Sequence, residues 1–123
     1  GGITGQPAND HVLRATIHPD CSLGSWSELT PMPQVRWTHE MAEFGDRLYV
    51  LAGSEGNTPI PRVLQGPLDG SGPWLDAPPL PTPHFDGAPA TTADTLCTIG
   101  GRGPGPGDIY AEVQCLNVAR TVP

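Results

Sequence analysis

The 123-residue chain contains no lysine, and its 6 arginines face 13 carboxylates, which leaves a formal net charge of -7. An acidic surface of this kind repels phosphate backbones and anionic lipid, so nucleic acid and membrane are not expected partners. No apolar run approaches the roughly 20 residues that cross a bilayer as a helix, and no basic-then-apolar leader opens the sequence. These absences predict a mature, soluble protein, extracellular or periplasmic. Aromatic residues are scarce, at 3 Trp, 2 Tyr and 2 Phe, which predicts one small core.

The residues that usually carry catalysis are also thin. The four histidines, His11, His18, His39 and His84, show no i, i+4 pair of the zinc-enzyme kind, so no metal site is expected. Asp69-Gly70-Ser71-Gly72 opens like a calcium loop but lacks its closing Glu, and a β-turn accounts for it. In Gly101-Arg102-Gly103-Pro104-Gly105-Pro106-Gly107 the prolines remove the amide donors that a phosphate cradle needs. Ser22, Ser25, Ser27, Ser54 and Ser71 lie in turns or strand edges without a nucleophile-elbow context. The expectation is a non-catalytic chain with no cofactor.

What the sequence has in abundance is glycine and proline, 16 of each. At that frequency long helices are improbable, and an aperiodic chain would be disordered. This one is periodic. Trp26 and Trp74 are 48 residues apart, as are Pro31-Met32-Pro33 and Pro79-Leu80-Pro81, and the same offset places Asp46 on Asp94, Leu48 on Leu96 and Gly53 on Gly101. Val12 to Ile17 matches Val63 to Leu68 at an offset of 51.

Each unit alternates short apolar stretches with turn formers. His39 to Phe44 and Arg47 to Gly53 read as a hairpin through Gly45-Asp46, the second strand buried on both faces. A third strand is expected at Arg62 to Leu68, a turn at Asp69 to Gly72, and a fourth strand around Trp74-Leu75. In the next unit the hairpin is expected to join Thr92-Ala93 to Thr95–Gly101 at Asp94. The fold class is therefore all-β, with four short antiparallel strands per unit and no helix beyond two turns.

The pattern Trp26-x-x-Leu29-x-Pro31-Met32-Pro33-x-x-Arg36-x-x-His39, followed by Arg47-Leu48-Tyr49-Val50-Leu51-Ala52-Gly53, resembles a kelch repeat, whose mark is a double glycine closing the second strand. Gly1-Gly2 and Gly100-Gly101 carry that pair, and Ala52-Gly53 is a degenerate copy. The second copy departs from the first, with His84 in place of Arg36 and Gly87 in place of His39. The resemblance implies kelch-like β-propeller blades in an incomplete propeller. Residues 1–30 would be the last two strands of one blade, 31–78 a complete blade, and 79–123 the first three strands of another. Nine strands are too few to close a propeller, so the chain is either part of a longer polypeptide or one of several copies. In the second case an oligomer or filament forms through strand edges, and in both cases Val12 to Ile17 pairs with strand residues from elsewhere.

The loops the resemblance assigns to one rim supply the candidate binding residues: Arg36, Trp37, His84 and Phe85 before the first strands, and Glu55, Asn57 and Arg102 after the second. The partner expected there is another protein or a copy of this chain. The rival implication is a fragment of an extracellular carbohydrate-active kelch propeller, galactose oxidase-like or sialic acid mutarotase-like. Trp26 and Trp74, equivalent in the repeat, are expected to pack neighbouring blades together with the indole N–H on a carbonyl. A hairpin centred near residue 105 or 106 brings Cys97 opposite Cys115, as a disulfide or as two buried thiols. Cys21 is left over, standing where an Asp-Gly-Ser turn has glycine.

Overall fold

The computed structural model describes residues 9–116. Gly1-Gly2, and the outer parts of the segments 1–30 and 79–123, lie outside the described residues. Among the described residues there is no helix; there are eleven short strands in small antiparallel sheets. The central sheet has four strands in sequence order: β3 (Glu40–Phe44), β4 (Arg47–Leu51), β7 (Val63–Pro67) and β8 (Leu75–Ala77). The expected hairpin through Gly45-Asp46 is present, with Phe44 opposite Arg47 and Glu40 opposite Leu51. Gly45 turns it with a φ of 63°, a left-handed conformation that glycine adopts without steric cost.

Side chains alternate across this sheet, and each face buries its own core. Tyr49, Leu51 and Val63 join Phe44, Leu80, Leu96 and Leu116 on one face; Val50 and Leu64 join Met32 on the other, with Val12 and Trp74 against them. That is why Tyr49-Val50-Leu51 is apolar without a break. Against the larger core stands a three-stranded sheet of β9 (Ala88–Thr91), β10 (Leu96–Ile99) and β11 (Val113–Leu116). A two-stranded sheet of β1 (Leu13–Arg14) and β2 (Ser27–Glu28), exposed along both strands, reaches the smaller core through Val12, the residue before β1.

Three details differ from expectation. Thr92 and Ala93 are not strand residues: Thr92 accepts the turn, its N–H bonding the Thr95 carbonyl and its hydroxyl the Asp94 carboxylate, so the strand precedes it as β9. Pro89 is tolerated there because β9 is an edge strand, whose outward backbone groups need no partner. A further hairpin, β5 (Ser54–Glu55) with β6 (Thr58–Pro59), interrupts the loop between the second and third strands. Trp26, expected to be packed, is 63% exposed.

The 48-residue period extends to the backbone. Positive φ angles recur at Thr38 and Asp86 (49° and 58°), at Ala52 and Gly100 (56° and 67°) and at Gly53 and Gly101 (90° and 100°). Cys21, at 67°, takes the conformation of Gly70, at 72°; in both turns an Asp carboxylate accepts the N–H of the Ser two residues on. The register of β1 on β2, Leu13 with Glu28, matches that of β7 on β8, Leu64 with Asp76. Cys97 and Cys115 are register partners and form a disulfide.

Candidate binding surface

The two residues that follow β4, Ala52 and Gly53, are both in the left-handed region. Beyond them Ser54 and Trp37 exchange backbone hydrogen bonds, each 3.0 Å, and in the next unit Phe85 and Arg102 do the same at 3.0 and 2.8 Å. The two glycine positions have different demands. A Cβ at Gly53 would stand 2.7 Å from the Trp37 carbonyl oxygen, and one at Gly101 2.9 Å from that of Phe85, so only glycine fits. A Cβ at Gly100 meets nothing closer than 3.5 Å, which is why the equivalent position can hold Ala52.

These crossings bring five of the seven candidate residues to one region. Trp37, half-buried, donates its indole N–H to the Gly56 carbonyl at 2.9 Å and so braces the β5–β6 hairpin, whose exposed tip carries Glu55 and Asn57. Asn57 donates to the Pro104 carbonyl at 3.1 Å and ties this tip to the following loop. There Arg102 lies 4.7 Å above the Phe85 ring centre and pairs with Asp86 at 2.6 Å. That pair is exposed and contributes at most about 1 kcal/mol. Beside Glu55 an open depression of about 290 Å³ is lined by Gln34, Thr58, Pro59, Ile60 and Pro61. Phe85 itself is buried, so Arg102 and not the ring meets solvent.

Arg36 and His84 are not on this surface; both are fully buried. They sit at equivalent joints of the repeat and are held in two different ways. Arg36 donates to the Ala52 carbonyl at 3.0 Å and to that of Arg62 at 3.3 Å, with no carboxylate among the described residues and no partner for Nε. Burial, reinforced by Arg62, brings its pKa down to about 10, so it stays a cation at neutral pH. His39, next to it, keeps Nδ1 buried without a partner, and burial with the Arg36 charge lowers its pKa to about 4.

At the other joint His84 donates Nε2–H to Glu40 at 3.0 Å and lies 3.3 Å from the Thr82 carbonyl through Nδ1. The Thr98 hydroxyl donates to the second Glu40 oxygen at 2.6 Å. The Glu40 hydrogen bond, opposed by burial, raises the His84 pKa. Gly87 makes this possible, because a Cβ there would collide with the Glu40 carboxylate. His39 occupies the equivalent position in the first joint and takes that room itself. An acid, a base and a hydroxyl are thus united, but Glu40, His84 and Thr98 are all buried, so the cluster joins β3 to the β9–β11 sheet and meets no solute. Sequence reasoning missed it; the available signal was a charged residue, Glu40, on the same side of its strand as Ala42 and Phe44.

Among the described residues no three His, Cys, Asp or Glu side chains gather at metal-binding distance. Comparison with protein-family models and with curated proteins gives no match for the chain.

Proposed function

We propose that this chain is a non-catalytic, kelch-like β-propeller segment that works by assembly with other protein, its incomplete sheets completed by strands from outside the described residues. The observation that carries this reading is the inequality of β1 and β7. The two strands share a register with β2 and β8, yet β7 spans five residues between β4 and β8, whereas β1 spans two and has no inner neighbour among the described residues. The 48-residue recurrence of left-handed positions and the four-stranded sheet in sequence order support the blade assignment. Trp37, Glu55, Asn57 and Arg102 give the module a polar contact surface at its rim. The Cys97–Cys115 bridge supports an oxidising compartment, extracellular or periplasmic.

Determining the mass and composition of the native particle tests the reading. The expected result is a particle larger than the 12.9 kDa chain, in which the β1 backbone exchanges slowly with solvent. A stable 12.9 kDa monomer with the β1 edge already protected would contradict it.

A further inference from the structure

The leading hairpin can be read in more detail against its complete counterpart. Leu29 N–H donates to the Val12 carbonyl and Gly24 N–H to that of Thr16, so Val12 and Thr16 point their backbone groups at the second half of the hairpin. Alternation along the strand then turns the N–H and C=O groups of Leu13, Ala15 and Ile17 away from β2, toward an edge with no partner among the described residues. In the central sheet β4 occupies that edge of β7, setting Val50 opposite Leu64 and Leu48 opposite Gly66, the counterparts of Leu13 and Ala15. Leu64 is fully buried; Leu13 is 57% exposed, and Ile17, Leu23 and Trp26 are exposed on the same hairpin. Four large apolar residues beside a row of unpaired backbone groups mark a surface built to be covered.

Resting on the reading of the chain as an incomplete propeller segment, we infer that Leu13–Ile17 is the docking edge for one kind of partner: an antiparallel β-hairpin from another polypeptide segment, with an apolar inner strand resembling β4. Among the described residues, a second copy of this chain offers no free hairpin of this kind. The β3–β4 hairpin is committed to β7, and the β9–β10 hairpin carries β11 on the edge that would have to pair. The Cys97–Cys115 bridge holds β11 there, so β10 cannot exchange it for a foreign strand without reduction.

The test is to tether a second copy of residues 40–51, the β3–β4 hairpin, ahead of Asn9 of the oxidised chain through a flexible linker, which raises its effective concentration to the order of millimolar. The inference expects amide exchange at Leu13 and Ile17 to slow by at least about tenfold, with a shift of Trp26 emission to shorter wavelength. Ala15→Pro removes an outward-facing N–H that β2 does not use, so the variant folds with β1–β2 intact and loses the slowing. Unchanged exchange in the tethered chain, or slowing that survives Ala15→Pro, overturns the inference. So does self-association of the untethered, oxidised chain that protects Leu13 and Ile17, because the occupant is then a second copy. If instead the native particle is large and protects this edge while the tethered hairpin does not, the partner's chemistry is refuted and the incomplete-segment reading stands.

Discussion

The two units of the repeat carry equivalent joints filled with different chemistry. Toward β9–β11, His84, Glu40 and Thr98 form a closed hydrogen-bonded cluster beside a core of eight buried residues. At the equivalent positions Arg36 and His39 leave two polar atoms unpartnered, and the core on the other face holds three residues. Two exchanges accompany the difference: with His84 and Gly87 a carboxylate enters the space that Gly87 leaves, and with Arg36 and His39 the cation turns to backbone carbonyls. The lesson is that a repeat conserves backbone path more strictly than the polar contents of its joints.

A second exchange of this size acts on the tryptophans. Trp74 lies over Gly66, where a Cβ would stand 2.9 Å from its ring, and donates to the Thr30 carbonyl at 3.0 Å. The residue equivalent to Gly66 is Ala15, whose methyl occupies that place and denies it to Trp26. The exposure of Trp26 therefore has a cause within the hairpin as well as the missing neighbour.

Truncating equivalent leucines breaks the comparison most severely. Leu64→Ala should cost about 3 kcal/mol of unfolding free energy, as expected for a fully buried leucine, while Leu13→Ala should cost less than about 1 kcal/mol, both read by denaturant titration. Replacing both Cys97 and Cys115 by Ala should lower stability by a comparable amount, about 3 kcal/mol for a closed interval of 18 residues. The loss should fall on the β9–β11 sheet, leaving exchange in β1–β2 unchanged.

The pH dependence of the two joints should have opposite signs. His84 has a raised pKa, so its contribution is fully present below its unfolded value near 6.5 and is lost as pH rises through the higher folded value. Glu40→Gln should abolish that alkaline-side decline. His39 titrates near 4 when folded, so between about 4 and 6.5 the unfolded chain binds a proton that the folded one excludes. Stability from this joint should fall as pH drops through that window, and His39→Gln should flatten the fall. The smallest effect is at Cys21, held at a φ of 67° where its counterpart is glycine. Cys21→Gly should stabilise the chain by roughly 0.5–1 kcal/mol in thermal unfolding, by removing left-handed strain.

Much of the fold was legible because it is written in local pattern. Gly45-Asp46 between apolar stretches fixes a hairpin, and the spacing of Cys97 and Cys115 about the turn fixes their register. What was hidden depends on contacts between distant segments. Nothing near Glu40 in sequence indicates that Gly87, 47 residues later, vacates the space its carboxylate fills. The β5–β6 hairpin was read as loop because Gly56 and Pro59 stand in it, although Gly56 makes its turn and Pro59 needs no N–H on a two-strand edge. Of the candidate rim residues, Arg36 and His84 belong to loops that the kelch resemblance assigns to the rim, whereas burial against carbonyls and a carboxylate keeps them inside.

The most direct measurement of the account is residue-resolved amide exchange of the isolated, oxidised 123-residue chain, comparing Leu13 and Ile17 of the leading hairpin with Leu64 and Gly66 of the central sheet. The account expects exchange in the first pair to be faster by about a hundredfold or more, because their N–H groups face an edge with no partner among the described residues, and expects that gap to close in the native particle. Equal protection of both pairs in a chain that stays monomeric would contradict it.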